Sequence, residues 1–195
     1  MRKKLVKVRH LAVAGENRTV RCNRKNCGTC DLIAEGQVYV INNKNVKPAH
    51  GDCRSYNVVY CFMCNHLNCN KNYVGRTVQH LKSRVNEHRS RYYKLLSDPN
   101  LKSSIEPDDD SYSLGAHLIL DHGCHEREDF NSSYKVFILK NCSPRALEEC
   151  EHRYIQSLRT ILNLLVLTPW TPLGYHFWIP HNYLLIAVFI LFFQG

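Results

Sequence analysis

The spacing of apolar and polar positions changes several times along the chain, and each change predicts a different element. Residues 58–62 and 72–76 are runs of β-branched and aromatic side chains between asparagine clusters, which predicts two strands. The period then becomes helical. Leu81, Val85, Tyr92 and Leu96 share one stripe of a segment from about 78 to 96, with Thr77 placed to cap it. Residues 97–113 are polar and acidic, contain Pro99 and Pro107, and predict a long loop. A short helix over 114–121 stops at Gly123, and residues 134–139 form a third, apolar strand. Ser143-Pro144 opens a last helix running to about Arg159, with Leu147, Tyr154, Ile155 and Leu158 facing inward. Upstream, 36–41 reads as a strand leading into the turn Asn42-Asn43-Lys44-Asn45. The order β-β-α-loop-β-α predicts an α+β fold, a small antiparallel three-stranded sheet flanked by helices, behind a Cys-rich N-terminal arm.

Charge falls where this pattern expects apolar residues. At about 100° per residue, Glu151 lies near the middle of the last helix's inward stripe, whereas Glu149 points to solvent. A carboxylate among apolar neighbours is costly unless it is paired or holds a cation. His88 lies on the stripe of the first long helix, with Arg84 one turn earlier at its edge. Taken singly, each residue is better explained as a satisfied core group or a surface cation. Together, an arginine, a histidine and a glutamate on inward helix faces beside two strand tyrosines match what phosphodiester hydrolysis requires. That reaction needs a group to deprotonate water, a cation on the phosphate oxygens and a hard metal ion at the leaving oxygen.

Composition narrows the partners. The 195 residues carry a net charge of +9, which favours an anionic partner, nucleic acid first and a phospholipid surface second. Ten cysteines read as disulfides in an oxidising compartment and as metal ligands in a reducing one. The apolar patch Leu11-Ala12-Val13-Ala14 is shorter than the roughly 7–15 residues of a signal peptide, so thiolates in an intracellular compartment are expected. Size and basicity are compatible with the nucleus, although no compact targeting cluster is present. Residues 183–193 are almost wholly apolar, short of the roughly 20 residues of a membrane span; they are the sole basis for a membrane-anchored alternative.

The ordered motifs Val58-Val59-Tyr60, Tyr73-Val74-Gly75, Leu81-x-x-Arg84-Val85-x-x-His88 and Glu151-His152-Arg153-Tyr154-Ile155, with Asn163 downstream, resemble the GIY-YIG nuclease domain over residues 57–163. The resemblance is to the variety carried by Penelope-like retroelements. It implies that Tyr60 is the general base or its water-positioning partner and that Tyr73 orients phosphate or water. It further implies that Arg84 neutralises the phosphate, His88 assists proton transfer and Glu151 holds Mg²⁺ or Mn²⁺. Only the tyrosine of the first motif is strictly kept, and Thr160 stands where many relatives have proline.

Two ligand sets have zinc spacing. Cys64 and Cys69 form C-x4-C, and His117 and His122 form H-x4-H. The intervening stretch is longer than in a zinc finger, and the same retroelement nucleases resemble this chain in both pairs, which implies a structural Zn²⁺ tying hairpin to loop. In the arm, Cys22, Cys27, Cys30 and Cys53 read as a Cys₄ knuckle, and similar cysteines precede the nuclease domain in those elements. Arg18, Arg21, Arg24 and Lys25 surround the first cysteines and, with Arg76, Lys82 and Arg89, are candidate nucleic-acid contacts. Cys61, Cys124, Cys142 and Cys150 read as packed or surface thiols.

The expected organisation is an arm over 1–56, a nuclease-like domain over 57–165 and an apolar tail over 166–195. The leading expectation is a metal-dependent endonuclease acting on DNA, retroelement-derived and nicking in character, with two visits or two copies needed for a double-strand break. The alternative is a zinc-stabilised nucleic-acid-binding module with impaired catalysis.

Overall fold

A computed structural model describes residues 17–98, 100 and 113–158. Asn163, Thr160, the apolar tail and most of the expected 97–113 loop lie outside them. The fold is α+β. Its centre is an antiparallel sheet of β5 (Val58–Cys64), β6 (Asn72–Thr77) and β7 (Tyr134–Asn141), in the order β6-β5-β7. Alternation assigns each strand residue to one of two packed faces. Val58, Tyr60, Phe62, Tyr73, Val136 and Ile138 join one apolar cluster, and Val59, Cys61, Val74, Phe137 and Leu139 join the other. The first face is covered by α1 (Leu81–Ser97), α2 (Ser113–His122) and α3 (Asp129–Ser133). The second is covered by α4 (Leu147–Leu158) and the hairpin β2 (Tyr39–Ile41) and β3 (Lys44–Val46). Pairing of β5 with β7 shifts between Val59 and Tyr60, a bulge that resets the strand at the residue carrying the first tyrosine.

The hairpin β2-β3 turns on Asn42 and Asn43, with φ of 47° and 63°, the left-handed pair that a two-residue turn demands. The expected turn is thus two residues long, and Lys44 and Asn45 belong to the returning strand. Thr77 does not cap α1. Its hydroxyl accepts from Gln79 N–H at 3.0 Å, closing a local turn that delays the helix to Leu81. The first amide donors of α1 are instead met by the arm: Leu81 N–H donates to Ser55 and Lys82 N–H to Cys53, both at 2.8 Å. Ser143 precedes a short 3₁₀ turn at Pro144–Ala146, and the regular helix starts only at Leu147. Inside α4 the buried positions are Leu147, Cys150, Ile155 and Leu158, so Cys150 takes the core place expected of Tyr154, which is half-buried.

The arm fastens to the outer edge of β7. Ala34 N–H donates to Val136 O at 2.9 Å, Ala49 N–H donates to Ile138 O at 2.7 Å, and Ile138 N–H donates to the Thr19 hydroxyl at 2.8 Å. These bonds satisfy backbone groups that an open sheet edge would leave exposed. Two-residue strands β1 (Thr19–Val20) and β4 (Gly51–Asp52) pair in parallel within the arm. Among the described residues, no helix is long and apolar enough to cross a membrane.

Candidate active site and metal centres

Tyr60 and Gly75 face each other across β5 and β6, and Tyr73 lies on the same face. A side chain at Gly75 has no space there: a Cβ would come within 2.6 Å of the Tyr60 hydroxyl and 2.7 Å of Tyr73 Cε1. The glycine of the Tyr-Val-Gly motif therefore makes room for both rings. Helix α1 crosses above them and lowers His88 onto the pair, with ring centroids 6.2 Å from Tyr60 and 5.4 Å from Tyr73. Tyr60 Oη is 2.9 Å from His88 Nε2, and Arg84 Nε donates to the same oxygen at 3.2 Å. A guanidinium can only donate, so Tyr60 accepts from Arg84, and its own proton is available to His88 Nε2 when the imidazole proton sits on Nδ1.

The electrostatics agree with that direction. Burial, reinforced by the charges of Arg84 and Arg91, holds His88 well below its ordinary value, which keeps the ring neutral and able to accept. Burial also works against the charge on Arg84, but the Tyr60 phenol and the Glu87 carboxylate outweigh it and the guanidinium is more firmly charged than usual. Its Nη1 donates to Glu87 at 2.8 Å. Tyr60 is 0% and His88 2% exposed, whereas the Arg84 side chain keeps 24%. The arginine is thus the member of the group that meets solvent.

Glu151 is carried by α4, on the opposite sheet face, and its side chain is 16% exposed. Arg76 of β6 forms the link: its Nε lies 3.3 Å from Glu151 and its Nη1 3.3 Å from Glu148. A cleft of about 390 Å³ opens beside the edge of β6 and brings both faces to one surface, with Arg84 and Glu87 on one wall and Arg76, Arg145 and Glu148 on the other. Tyr60, Tyr73, Arg84 and His88 therefore meet directly, and Glu151 joins the neighbourhood through Arg76. From the sequence alone Arg76 reads only as a basic candidate for nucleic-acid contact. Its alternation in β6 places it on the α4 face, which was the available clue.

Both cysteine-containing sets close into clusters that could hold a metal ion, with each set's ligand atoms within 4.8 Å of one another. Cys64 Sγ is 3.5 Å from His122 Nε2, Cys69 Sγ is 3.5 Å from His117 Nε2, and the two imidazole nitrogens are 3.2 Å apart. A zinc ion about 2.0–2.3 Å from nitrogen and sulfur places neighbouring ligands about 3.3–3.8 Å apart. Three of the six donor separations thus already match or come close to tetrahedral zinc dimensions. His117 Nδ1 lies 2.5 Å from Asp121 Oδ2, which turns Nε2 inward, and Lys71 donates to the same carboxylate oxygen at 2.6 Å. His66, unassigned from the sequence, stacks on His122 at 3.9 Å and lies 2.7 Å from the Ser133 hydroxyl.

The arm cluster has the same dimensions, with Cys22–Cys30 at 3.5 Å, Cys27–Cys53 at 3.4 Å and Cys30–Cys53 at 3.7 Å. All ten cysteines are free thiols, and none of these separations approaches the roughly 2.05 Å of a disulfide. A hydrogen bond from Cys53, more than any other contact, lowers Cys22 to about 7, whereas burial pushes Cys53 strongly upward and Cys64 to about 12.

The basic candidates separate by role. Arg89 is part of the framework: it donates to Gly28 O at 2.9 Å and to Asn131 Oδ1 at 2.9 and 3.1 Å, joining α1 to the arm and to α3. Arg21 pairs with Glu35 at 3.6 Å, and Arg18, Arg24 and Lys25 are exposed. Arg24 and Lys82 line a second polar cleft. Comparison of the chain with protein-family models, with curated proteins and with solved structures found no match.

Proposed function

We propose that the protein is a metal-dependent endonuclease of the GIY-YIG type, similar to those of Penelope-like retroelements, which hydrolyses phosphodiester bonds in DNA. The observation that carries this reading is the hydrogen-bonded chain Arg84–Tyr60–His88, whose arginine lines a cleft together with Arg76 and Arg145. A DNA phosphate entering the cleft draws the half-exposed Arg84 fork from Glu87 to its own oxygens, because a guanidinium matches two phosphate oxygens. That movement uncovers Tyr60 to water. Tyr60 takes the water proton as its own passes to neutral His88 Nε2, and the developing charge on the phenol lies beside Arg84. Tyr73 packs against His88 and fixes the ring's orientation. Mg²⁺ or Mn²⁺, held through Glu151 in exchange for Arg76, would neutralise charge on the phosphate and the leaving oxygen. Two Zn²⁺ ions, one in each cysteine cluster, have a structural role. One such site nicks one strand, and a double-strand break takes two encounters or two copies. A nuclear location follows from the proposed substrate.

A specific contact favours a second reading, a zinc-stabilised nucleic-acid-binding module with impaired catalysis. Arg76 already neutralises Glu151, and a carboxylate so paired binds a divalent ion less readily. Conversion of supercoiled plasmid to open circle in Mg²⁺ separates the two. The nuclease reading expects nicking that is lost in Arg84→Ala and in Glu151→Ala. Binding without cleavage in Mg²⁺ and Mn²⁺ selects the module.

A further inference from the structure

A second cleft, about 640 Å³, opens on the other side of the segment that leads into α1. Residues 77–79 border the first cleft, whereas His80 and Lys82 line the second. The strand-to-helix connection after β7 divides them in the same way, with Asn141 and Cys142 in the second cleft and Pro144 and Arg145 in the first. The two clefts are neighbours across shared walls.

The chemistry of the second cleft differs from that of the first. Arg24, Arg54 and Lys82 line it against a single carboxylate, Asp52, which is already 3.4 Å from Arg54. Among these cations stands Tyr56, a large aromatic ring 63% exposed. The His80 ring lies edge-on to it, with centroids 6.2 Å apart at 83°. His80 is itself fixed, because its Nδ1 donates to the Arg54 carbonyl, which can only accept, and Nε2 is left for a ligand. An exposed aromatic face, a held imidazole, the Asn141 side chain and three surrounding cations form a set that suits one ligand class. The face stacks a base, the polar groups meet its edge, and the cations meet the phosphates on either side. A base inside a duplex has no free face, and its Watson–Crick edge is taken by its partner.

We propose that this cleft holds an unpaired nucleotide of the DNA strand, next to the phosphate engaged by Arg84. The proposal rests on the nuclease reading for the nature of the polymer and adds the structural class of substrate. DNA with a short gap, flap or overhang beside the cutting position is preferred over intact duplex. Tyr56 belongs to substrate recognition and takes no part in hydrolysis.

The test uses the full chain loaded with zinc. Fluorescence anisotropy in Ca²⁺ compares a labelled duplex with the same duplex carrying a three-nucleotide gap, for wild type, Tyr56→Ala and Tyr56→Phe; nicking of both in Mg²⁺ is followed in parallel. An RNA gap strand of the same sequence forms a separate arm. The expected result is tighter binding of gapped DNA by wild type, lost roughly 5- to 150-fold in Tyr56→Ala and kept in Tyr56→Phe, with duplex binding unchanged. Equal affinity of wild type for gapped and intact DNA, or a Tyr56→Ala protein that keeps the preference, overturns the assignment while leaving the nuclease reading standing if plasmid is nicked. A preference confined to the RNA strand overturns it as well. Absence of binding to every nucleic acid overturns both, and gap preference without cleavage overturns only the catalytic reading.

Discussion

Gly75→Ala perturbs the candidate active site through a single methyl group. A Cβ at this position stands 2.6 Å from Tyr60 Oη and 2.7 Å from Tyr73 Cε1, where ordinary contact begins at 3.4 Å. The two rings must therefore retreat by ~0.8 Å and ~0.7 Å, or the strand must move. Both rings are essentially inaccessible to solvent within one buried cluster, so their retreat displaces core neighbours. Overpacking of this kind costs about 1–3 kcal/mol. Pushing the Tyr60 hydroxyl also stretches its 2.9 Å bond to His88, and a buried hydrogen bond left unmade costs about 1–3 kcal/mol more. The expected destabilisation is about 2–6 kcal/mol, read as a lower urea midpoint by circular dichroism. Displacing a reacting hydroxyl by about 1 Å also lowers the rate by about 10²-fold in any fraction that remains folded. A Gly75→Ala protein matching wild type in both midpoint and plasmid nicking would show that the glycine is not there to seat the tyrosines.

Three further outcomes concern the metal clusters and His88. If both clusters are filled, elemental analysis finds two zinc ions per chain, falling to one in Cys69→Ser and in Cys30→Ser. A structural zinc site is worth about 10–16 kcal/mol in small peptides, comparable to a whole domain's stability, so chelation at neutral pH unfolds the chain; full retention of circular dichroism after metal removal contradicts this. His88 makes stability depend on pH in a defined sense. Its folded value lies well below the ordinary 6.5, chiefly through burial. Above the ordinary 6.5 neither state is protonated and His88 contributes no slope. Below it the unfolded chain takes up a proton that the folded chain resists, so stability falls as pH falls, by at most about 1.4 kcal/mol per pH unit. Urea unfolding between about pH 7.5 and about pH 5.5 should show a steeper loss for wild type than for His88→Asn, and parallel curves would remove His88 from the account.

The sequence made the local elements readable where one period dominated. The β-branched and aromatic runs 58–62 and 72–76 and the stripe Leu81, Val85, His88 and Tyr92 correspond to β5, β6 and the buried face of α1, whereas Leu95 takes the buried place expected of Leu96, which is half-buried. The placement of Glu151 on a semi-buried face also followed from angle counting, because one helix determines it. Its partner did not, since Arg76 meets it only through packing between segments 75 residues apart. The five-residue helix α3 is too short to express a helical period, and so the seat of His66 against Ser133 was not visible. Thr77 shows a local competition: the same hydroxyl suits a helix cap and a turn, and arm carbonyls from Cys53 and Ser55 favour the turn. The ligand pairs were legible as spacings, whereas the meeting of Cys64 and Cys69 with histidines about 50 residues later is a property of the fold.

In the proposed nuclease, ionisable side chains from α1 and α4, with the phenol of β5, act together on one DNA phosphate. The most direct test is single-turnover nicking of supercoiled plasmid in Mg²⁺ by wild type and Glu151→Ala, with DNA affinity measured on the same preparations. Metal-dependent cleavage by wild type, reduced on the order of 10²-fold or more in the variant at unchanged affinity, is the predicted result. Cleavage by Glu151→Ala at the wild-type rate would contradict the account.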